Sequence, residues 1–185
     1  MGDRLARRIR SLIGESRASL STDWGLYHGT WSVLRRLFPA ADVPVVQLSV
    51  DATQPPAATI ELARELQELR HEGVLIVGSG NVTHNLQVAM QRMQLGDDGV
   101  PEWSASFDAE VVRVLEQRDA PDLCRLWPGE AGTQAHPTPD HWLPLLYAYG
   151  ASSDADALSF PVEGFAYGLS MRCCLFGGPA ADAAR

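Results

Sequence analysis

The sequence predicts an α/β fold in which helices flank a central mixed sheet. Two observations lead to this prediction. β-branched, apolar runs occur at 43–50 and 74–77, and helical periodicity follows each of them, over 56–71 and 103–117. Alternation of strands with helices is typical of α/β proteins. The length of 185 residues allows one domain with a substantial core, and we expect 1–185 to form a single domain.

The other elements follow from local signals. Residues 3–17 are rich in arginine and carry apolar side chains at helical spacing, which predicts a helix. A short helix over 31–38 is expected to end before Pro39, because proline disfavours helical geometry in the residue that precedes it. Later in the chain we expect, in order, a helix over 82–93, an irregular stretch over 121–139, a helix over 141–149, and strands over 159–162 and 167–176.

Composition excludes several classes of protein. The chain has 15 basic and 23 acidic residues and a net charge of −8, which argues against a nucleic-acid partner. No apolar run approaches the roughly 18 residues of a membrane span, and the amino terminus lacks the apolar core of a signal peptide. Three cysteines, two of them adjacent, fit neither a disulfide framework nor a thiolate metal site. We therefore expect a reduced, cytoplasmic enzyme domain.

Histidines are the residues most able to carry chemistry here. His84 follows the glycine-flanked loop 78–80 directly after the 74–77 run, where α/β enzymes often hold a reactive side chain. A buried histidine with satisfied hydrogen bonds is the alternative. His141 opens a helix, where a capping or packing role is as plausible as a site. His28 lies beside aromatic residues and a glycine, which suits either an aromatic-binding pocket or core packing.

Other features point less clearly to function. His71 ends an exposed helix, where a solvated cation suits the helix dipole. His136 lies in a loop and suits a surface or a site equally well. The Gly78-Ser79-Gly80 run fails as a dinucleotide-binding motif because Thr83 replaces its third glycine. Glu163 is best interpreted as a turn residue, with a site carboxylate as the alternative.

Four motifs carry a resemblance to a known family. They are Tyr27-His28-Gly29-Thr30-Trp31, Gly78-Ser79-Gly80-Asn81 with His84-Asn85-Leu86, His136-Pro137-Thr138-Pro139-Asp140-His141-Trp142, and Gly168-Leu169-Ser170-Met171. In this order they resemble the DOPA-dioxygenase type of extradiol aromatic-ring-opening enzymes. The similarity runs collinearly from about Trp24 to Phe176.

The resemblance implies a mononuclear non-haem site with Fe(II), in which zinc can replace iron. It implies a catechol-type substrate and O2. By this similarity His141 is a metal ligand, His84 is either a metal ligand or an acid–base catalyst, and His28 is a catalytic residue that binds a substrate oxygen. His136 precedes the ligand motif and need not be functional.

Two departures from the family pattern lead to further expectations. Tyr27 stands where the family usually has aspartate. The family domain also begins with a further third that supplies two more ligand histidines, so we expect a chain incomplete at its amino terminus, with an exposed sheet edge open to an oligomer or a partner chain. The expected function is extradiol ring cleavage, or that of a truncated homologue of such an enzyme. The alternatives are a non-catalytic, partner-binding remnant and a zinc-dependent hydrolase.

Overall fold

The computed structural model describes residues 2–177, and Met1 and the small-residue tail over 178–185 lie outside the described residues. Helices predominate and are followed by two small antiparallel sheets, which confirms the predicted mixture of helix and sheet. None of the helices within 2–177 is long and apolar enough to cross a membrane.

The helices lie close to the predicted positions. In chain order they are α1 (Gly2–Ile13), α2 (His28–Leu37), α3 (Pro56–Glu65), α4 (Glu68–His71), α5 (Leu86–Leu95), α6 (Glu102–Glu116), α7 (Ala120–Leu126), α8 (Glu130–Ala135), a 3-10 turn (Pro139–His141) and α9 (Leu143–Gly150).

At two places a helix begins at a residue that was not predicted, because a side chain caps its first turn. Helix α5 begins at Leu86 rather than at residue 82, because the Asn85 side chain accepts a hydrogen bond from the Val88 N–H at 3.3 Å. The stretch 121–139 is not irregular throughout. Asp119 caps α7 in the same way, by accepting from the Asp122 N–H at 2.8 Å.

The strands near the end of the chain form two antiparallel pairs. β1 (Leu158–Val162) pairs with β4 (Cys173–Phe176), and β2 (Phe165–Ala166) pairs with β3 (Leu169–Ser170). The strand predicted over 167–176 is thus divided between two sheets.

The predicted strands over 43–50 and 74–77 are extended segments without ladder hydrogen bonds. A strand is completed by backbone groups from a neighbouring segment, and residues 2–177 place no paired segment beside either one. The apolar composition of 74–77 predicts a buried strand, and this prediction is wrong, since Leu75 and Val77 are 61% and 46% exposed. This exposed apolar surface agrees with the expected open edge.

The main core lies between α6, α7 and α9. Its most deeply buried side chains are Val111, Val114, Leu115, Leu123, Trp142 and Leu146. Helix α3 packs closely on α9 at Gly150, where a Cβ atom would lie 2.6 Å from the carbonyl oxygen of Ile60. This core supports the start of α9, and with it the segment that carries His141.

Candidate active site

His84 and His141 lie side by side. Their ring centroids are 3.4 Å apart and their planes differ by 4°, so the two imidazoles are stacked. His84 follows the 78–83 segment, and His141 ends the 3-10 turn ahead of α9. Residues 57 positions apart in the chain therefore meet at one place.

Glycines allow the two histidine-bearing segments to approach. A Cβ atom on Gly78 would lie 2.2 Å from the carbonyl oxygen of Pro144, and one on Gly80 would lie 2.4 Å from the carbonyl oxygen of His141. A side chain at either position would push the segments apart. Between them, the Ser79 hydroxyl donates to the carbonyl oxygen of Gly29 at 2.7 Å.

Asn81 links His141 to the β2–β3 sheet. Its backbone N–H donates to Nδ1 of His141 at 3.2 Å, and its side-chain amide donates to the carbonyl oxygen of Ser170 at 3.0 Å. Because Nδ1 accepts this bond, a neutral His141 ring carries its proton on Nε2. Asn81 lies within one of the four motifs, but its sequence context gave no sign of this role.

A buried polar network supports the other side of the loop. The Thr83 hydroxyl accepts from the Ser170 N–H at 2.7 Å. The Ser170 hydroxyl donates to Asp108 at 2.6 Å, and Asp108 forms a buried ion pair with Arg172 at 2.7 Å. Arg172 also contacts Glu163 at 3.1 Å, and Glu163 lies in the short connection between β1 and β2. The network anchors the residue that precedes His84.

His136 is fully buried and holds the same loop from the opposite side. Its Nε2 lies 2.8 Å from the carbonyl oxygen of Val82, and the His84 N–H donates to the carbonyl oxygen of Ala135 at 2.9 Å. The sequence left His136 undecided between a surface and a site, and the structure buries it beneath the site. Its neighbours in sequence gave no signal of this burial.

Burial sets the charge state of these imidazoles. Desolvation lowers the pKa of His84, against the opposing effect of the Asp140 carboxylate. Desolvation also lowers the pKa of His141, with a further decrease from the neighbouring His84. The pKa of His136 falls to about 4, mainly because of its burial. At neutral pH all three rings are therefore neutral.

His28 lies at the start of α2, on the exposed side of the loop. Tyr27 packs against its ring, with centroids 4.1 Å apart. A charge on His28 would lower the pKa of His141, which puts the two within electrostatic range. His71 lies at the exposed end of α4, apart from the site, as the sequence predicted.

A groove of about 590 Å3 opens beside His141. Its walls are the segment 74–82 and strand β4, and Leu145 and Ala148 contribute to its lining from α9. Asn81 and His141 border the groove as well, so a molecule within it would reach the ring of His141, against which His84 stacks.

Comparison with known proteins places the chain in a family. Residues 2–170 match the model described as the catalytic LigB subunit of aromatic ring-opening dioxygenase. The chain belongs to the LigB family. It is 40% identical over 172 residues to a 4,5-DOPA dioxygenase extradiol of Escherichia coli and 36% identical over 154 residues to one of Beta vulgaris. These alignments cover 90% and 81% of this chain.

The relatives of this LigB-family chain are longer. The alignments span 62% of the Escherichia coli protein and 56% of the Beta vulgaris protein. A crystal structure of an uncharacterized Escherichia coli K12 protein superposes with a TM-score of 0.83 at 39% identity, covering 92% of this chain and 70% of that one. This chain therefore shares the fold of most of that longer structure.

The histidine pair does not by itself fit a metal ion. Within residues 2–177, no group of three His, Cys, Asp or Glu side chains is placed to hold one. An ion midway between the stacked rings would lie out of both ring planes, whereas imidazole directs its lone pair in the plane. Nδ1 of His141 is also engaged by the Asn81 N–H. The metal roles of His84 and His141 stay predictions.

Proposed function

We propose that this chain supplies the acid–base and substrate-binding side of an extradiol ring-opening dioxygenase that acts on a catechol-type substrate such as L-DOPA with O2. The stack of His84 on His141, which borders the groove, is the observation that supports this function. Two neutral imidazoles beside a cavity suit proton transfer to and from a ring hydroxyl near neutral pH.

We assign different roles to the two histidines. Parallel rings 3.4 Å apart do not direct their lone pairs at one point, so a single ion would take at most one of them as a well-oriented ligand. His141 is the better candidate, because it borders the groove. Binding an ion through Nε2 would require the ring proton to move to Nδ1, with loss of the bond from the Asn81 N–H. His84 is then the acid–base residue.

His28 is proposed to bind a substrate oxygen. Its helix α2 meets the site loop where Ser79 donates to the Gly29 carbonyl, so the start of α2 faces the same region as His84. Since the His28 ring is exposed, it remains accessible to a molecule that enters from this side.

Fe(II), with zinc as a possible substitute, is the proposed metal of the assembled domain. The described residues do not complete its ligand set, so the remaining ligands would come from polypeptide outside residues 2–177. We expect the isolated chain to show little ring-opening activity for this reason.

A complementation experiment tests the proposal. The purified chain is mixed anaerobically with Fe(II) and with a polypeptide covering the part of the Escherichia coli relative that the alignment leaves unmatched. L-DOPA and O2 are then added, and oxygen uptake and the yellow semialdehyde-type product are followed. Activity should appear only in the mixture. His84→Ala should lower it by about 100-fold or more, the range of a lost acid–base group.

Two outcomes would contradict the proposal. One is a mixture that forms a complex and remains inactive toward L-DOPA and simple catechols. The other is an active mixture in which His84→Ala has no effect. The matched control is His71→Ala, because it removes an exposed imidazole that does not line the groove, and it should leave activity unchanged.

A second candidate function is partner binding by strand addition. Strand β4 pairs with β1 on one side, and its other side borders the groove. Across the groove, the backbone of 75–80 makes no backbone–backbone hydrogen bond within residues 2–177. An added strand could satisfy both edges, and exposed Leu75 and Val77 would offer it apolar contacts.

Hydrogen exchange on the same mixture tests this candidate. Strand addition predicts that amides in 75–80 and β4 become protected when the complementing polypeptide binds. Val77→Lys should weaken the complex, because it places a charge in the apolar wall of the groove. Val100→Lys, at a similarly exposed valine outside the groove, is the control. Binding without protection of these amides would contradict strand addition.

A further inference from the structure

A hydrogen-bonded clamp joins the loop that carries His84 to the segment that leads to His141. The His136 Nε2–H donates to the carbonyl oxygen of Val82 at 2.8 Å, and the His84 N–H donates to the carbonyl oxygen of Ala135 at 2.9 Å. The two bonds run in opposite directions, one from His136 to Val82 and the other from His84 to Ala135. They therefore fix both the position and the direction of the loop immediately before His84.

The surroundings of His136 make its ring a fixed hydrogen-bond donor. The side chain is completely buried, with the rings of Phe107 and Trp142 at centroid distances of 5.8 and 5.5 Å. A neutral imidazole has a single N–H, and the Val82 carbonyl oxygen requires a donor, so that proton lies on Nε2. Nδ1 is left as a bare acceptor without a partner among the described residues.

Burial also excludes a direct chemical role for this histidine. None of its surface is accessible to solvent, and it does not border the groove. A residue that touched substrate would need access that His136 does not have. His136 therefore acts on the site through its hydrogen bond to the backbone of the 82–84 segment.

The chain connects this clamp to the second histidine. His136 and His141 are separated by four residues, two of which are Pro137 and Pro139. Proline restricts φ, so this short link is stiff. A shift at His136 would consequently move both the loop of His84 and the segment of His141.

We propose that His136 is a positioning residue that keeps the imidazoles of His84 and His141 stacked through its hydrogen bond to Val82. This inference rests on the proposed function, in which those two rings form the reactive side of the site. His136 itself is not a catalytic residue, because it touches neither a substrate nor the groove.

Two variants separate the hydrogen bond from the packing. His136→Leu keeps an apolar side chain of comparable size and removes the donor. His136→Gln places an amide N–H near the position of the imidazole Nε2 and so preserves it. Circular dichroism and the thermal midpoint establish that each variant is folded. Ring-proton NMR of the chain alone then reports on the stack, through nuclear Overhauser contacts between the rings of His84 and His141.

The wild-type chain should show inter-ring contacts, and a long-range proton–nitrogen spectrum should show His136 protonated at Nε2. His136→Leu should lose the inter-ring contacts and shift the His84 resonances, whereas His136→Gln should retain them. In the complemented enzyme, His136→Leu should lower kcat by about 10- to 100-fold, as expected for misplaced reacting groups, and His136→Gln should restore most of the loss.

The proposal is overturned if His136→Leu keeps the inter-ring contacts, or if His136→Gln loses them as completely as His136→Leu does. If His136→Leu does not fold, His136→Asn replaces it, because its shorter amide does not reach Val82. The NMR result stands even if no mixture opens an aromatic ring. Failure of the proposed function is therefore distinguishable from failure of the clamp.

Discussion

The backbone N–H of Asn81 donates to Nδ1 of His141 at 3.2 Å. A main-chain donor cannot reverse its direction, so this contact selects one tautomer of the neutral ring, with the proton on Nε2. It also removes Nδ1 from the set of free ligand atoms. The orientation of His141 thus depends on the glycine-flanked loop and only secondarily on its own helix.

This contact predicts the tautomer of His141 in solution. A long-range proton–nitrogen NMR spectrum at neutral pH should show Nε2 protonated and Nδ1 unprotonated. Asn81→Ala keeps the backbone donor but loses the side-chain bond to the Ser170 carbonyl, so the resonances of His141 should broaden or split. A wild-type ring protonated at Nδ1 would contradict the described orientation.

The buried His136 predicts a pH-dependent loss of stability. Its pKa is about 4 when folded and near 6.5 when unfolded, so the unfolded chain binds more protons between these values. Its contribution is therefore complete above about pH 6.5 and is lost as the pH falls toward about 4, at a cost of up to about 3 kcal/mol. Urea unfolding at a series of pH values measures this slope.

The control for the pH experiment is His136→Gln, which does not titrate. Its unfolding free energy should depend less steeply on pH than that of the wild type over the same range. The lowered pKa values of His84 and His141 act in the same direction and remain in both proteins. Identical slopes for the two proteins would show that the imidazole of His136 is not desolvated.

The close approach at Gly80 predicts a destabilising substitution. In Gly80→Ala the new Cβ would lie 2.4 Å from the His141 carbonyl oxygen, so the backbone has to move. We expect a loss of about 1–3 kcal/mol in unfolding free energy, together with altered ring resonances of both site histidines. Gly25→Ala is the control, since no atom lies within 4 Å of its Cβ position, and it should change stability by less than about 0.5 kcal/mol.

The buried ion pair below the site predicts a large effect at Asp108. Asp108→Ala leaves the Arg172 guanidinium and the Ser170 hydroxyl without their carboxylate partner, and chemical denaturation should show a loss of about 3 kcal/mol or more. Glu110→Ala breaks an exposed pair with Arg113 and should cost less than about 1 kcal/mol. Equal losses would mean that Arg172 is satisfied by Glu163 alone.

Local signals were sufficient for most of the helices. Apolar periodicity places α6 within one residue of its predicted ends, and Pro39 correctly indicates where α2 stops. Capping side chains were the main source of error. Asn85 and Asp119 moved or created helix starts, because a cap acts through the geometry of a few bonds rather than through composition.

The strands show a different limit. The runs over 43–50 and 74–77 have strand-like composition, yet neither has a ladder among the described residues, since a ladder depends on a second segment elsewhere in the chain. Sequence pattern reports that a segment suits a sheet. It does not report which backbone, if any, lies beside it.

By itself the sequence determined the family, the helical framework and the two histidines that come together, because these depend on motifs and periodicity that are local in the chain. Only the tertiary structure decided that the rings of His84 and His141 stack, that Asn81 orients one of them and that His136 is buried beneath the other. Those relationships join residues up to 60 positions apart. They arise from packing, which places backbone donors and acceptors where no local pattern specifies them.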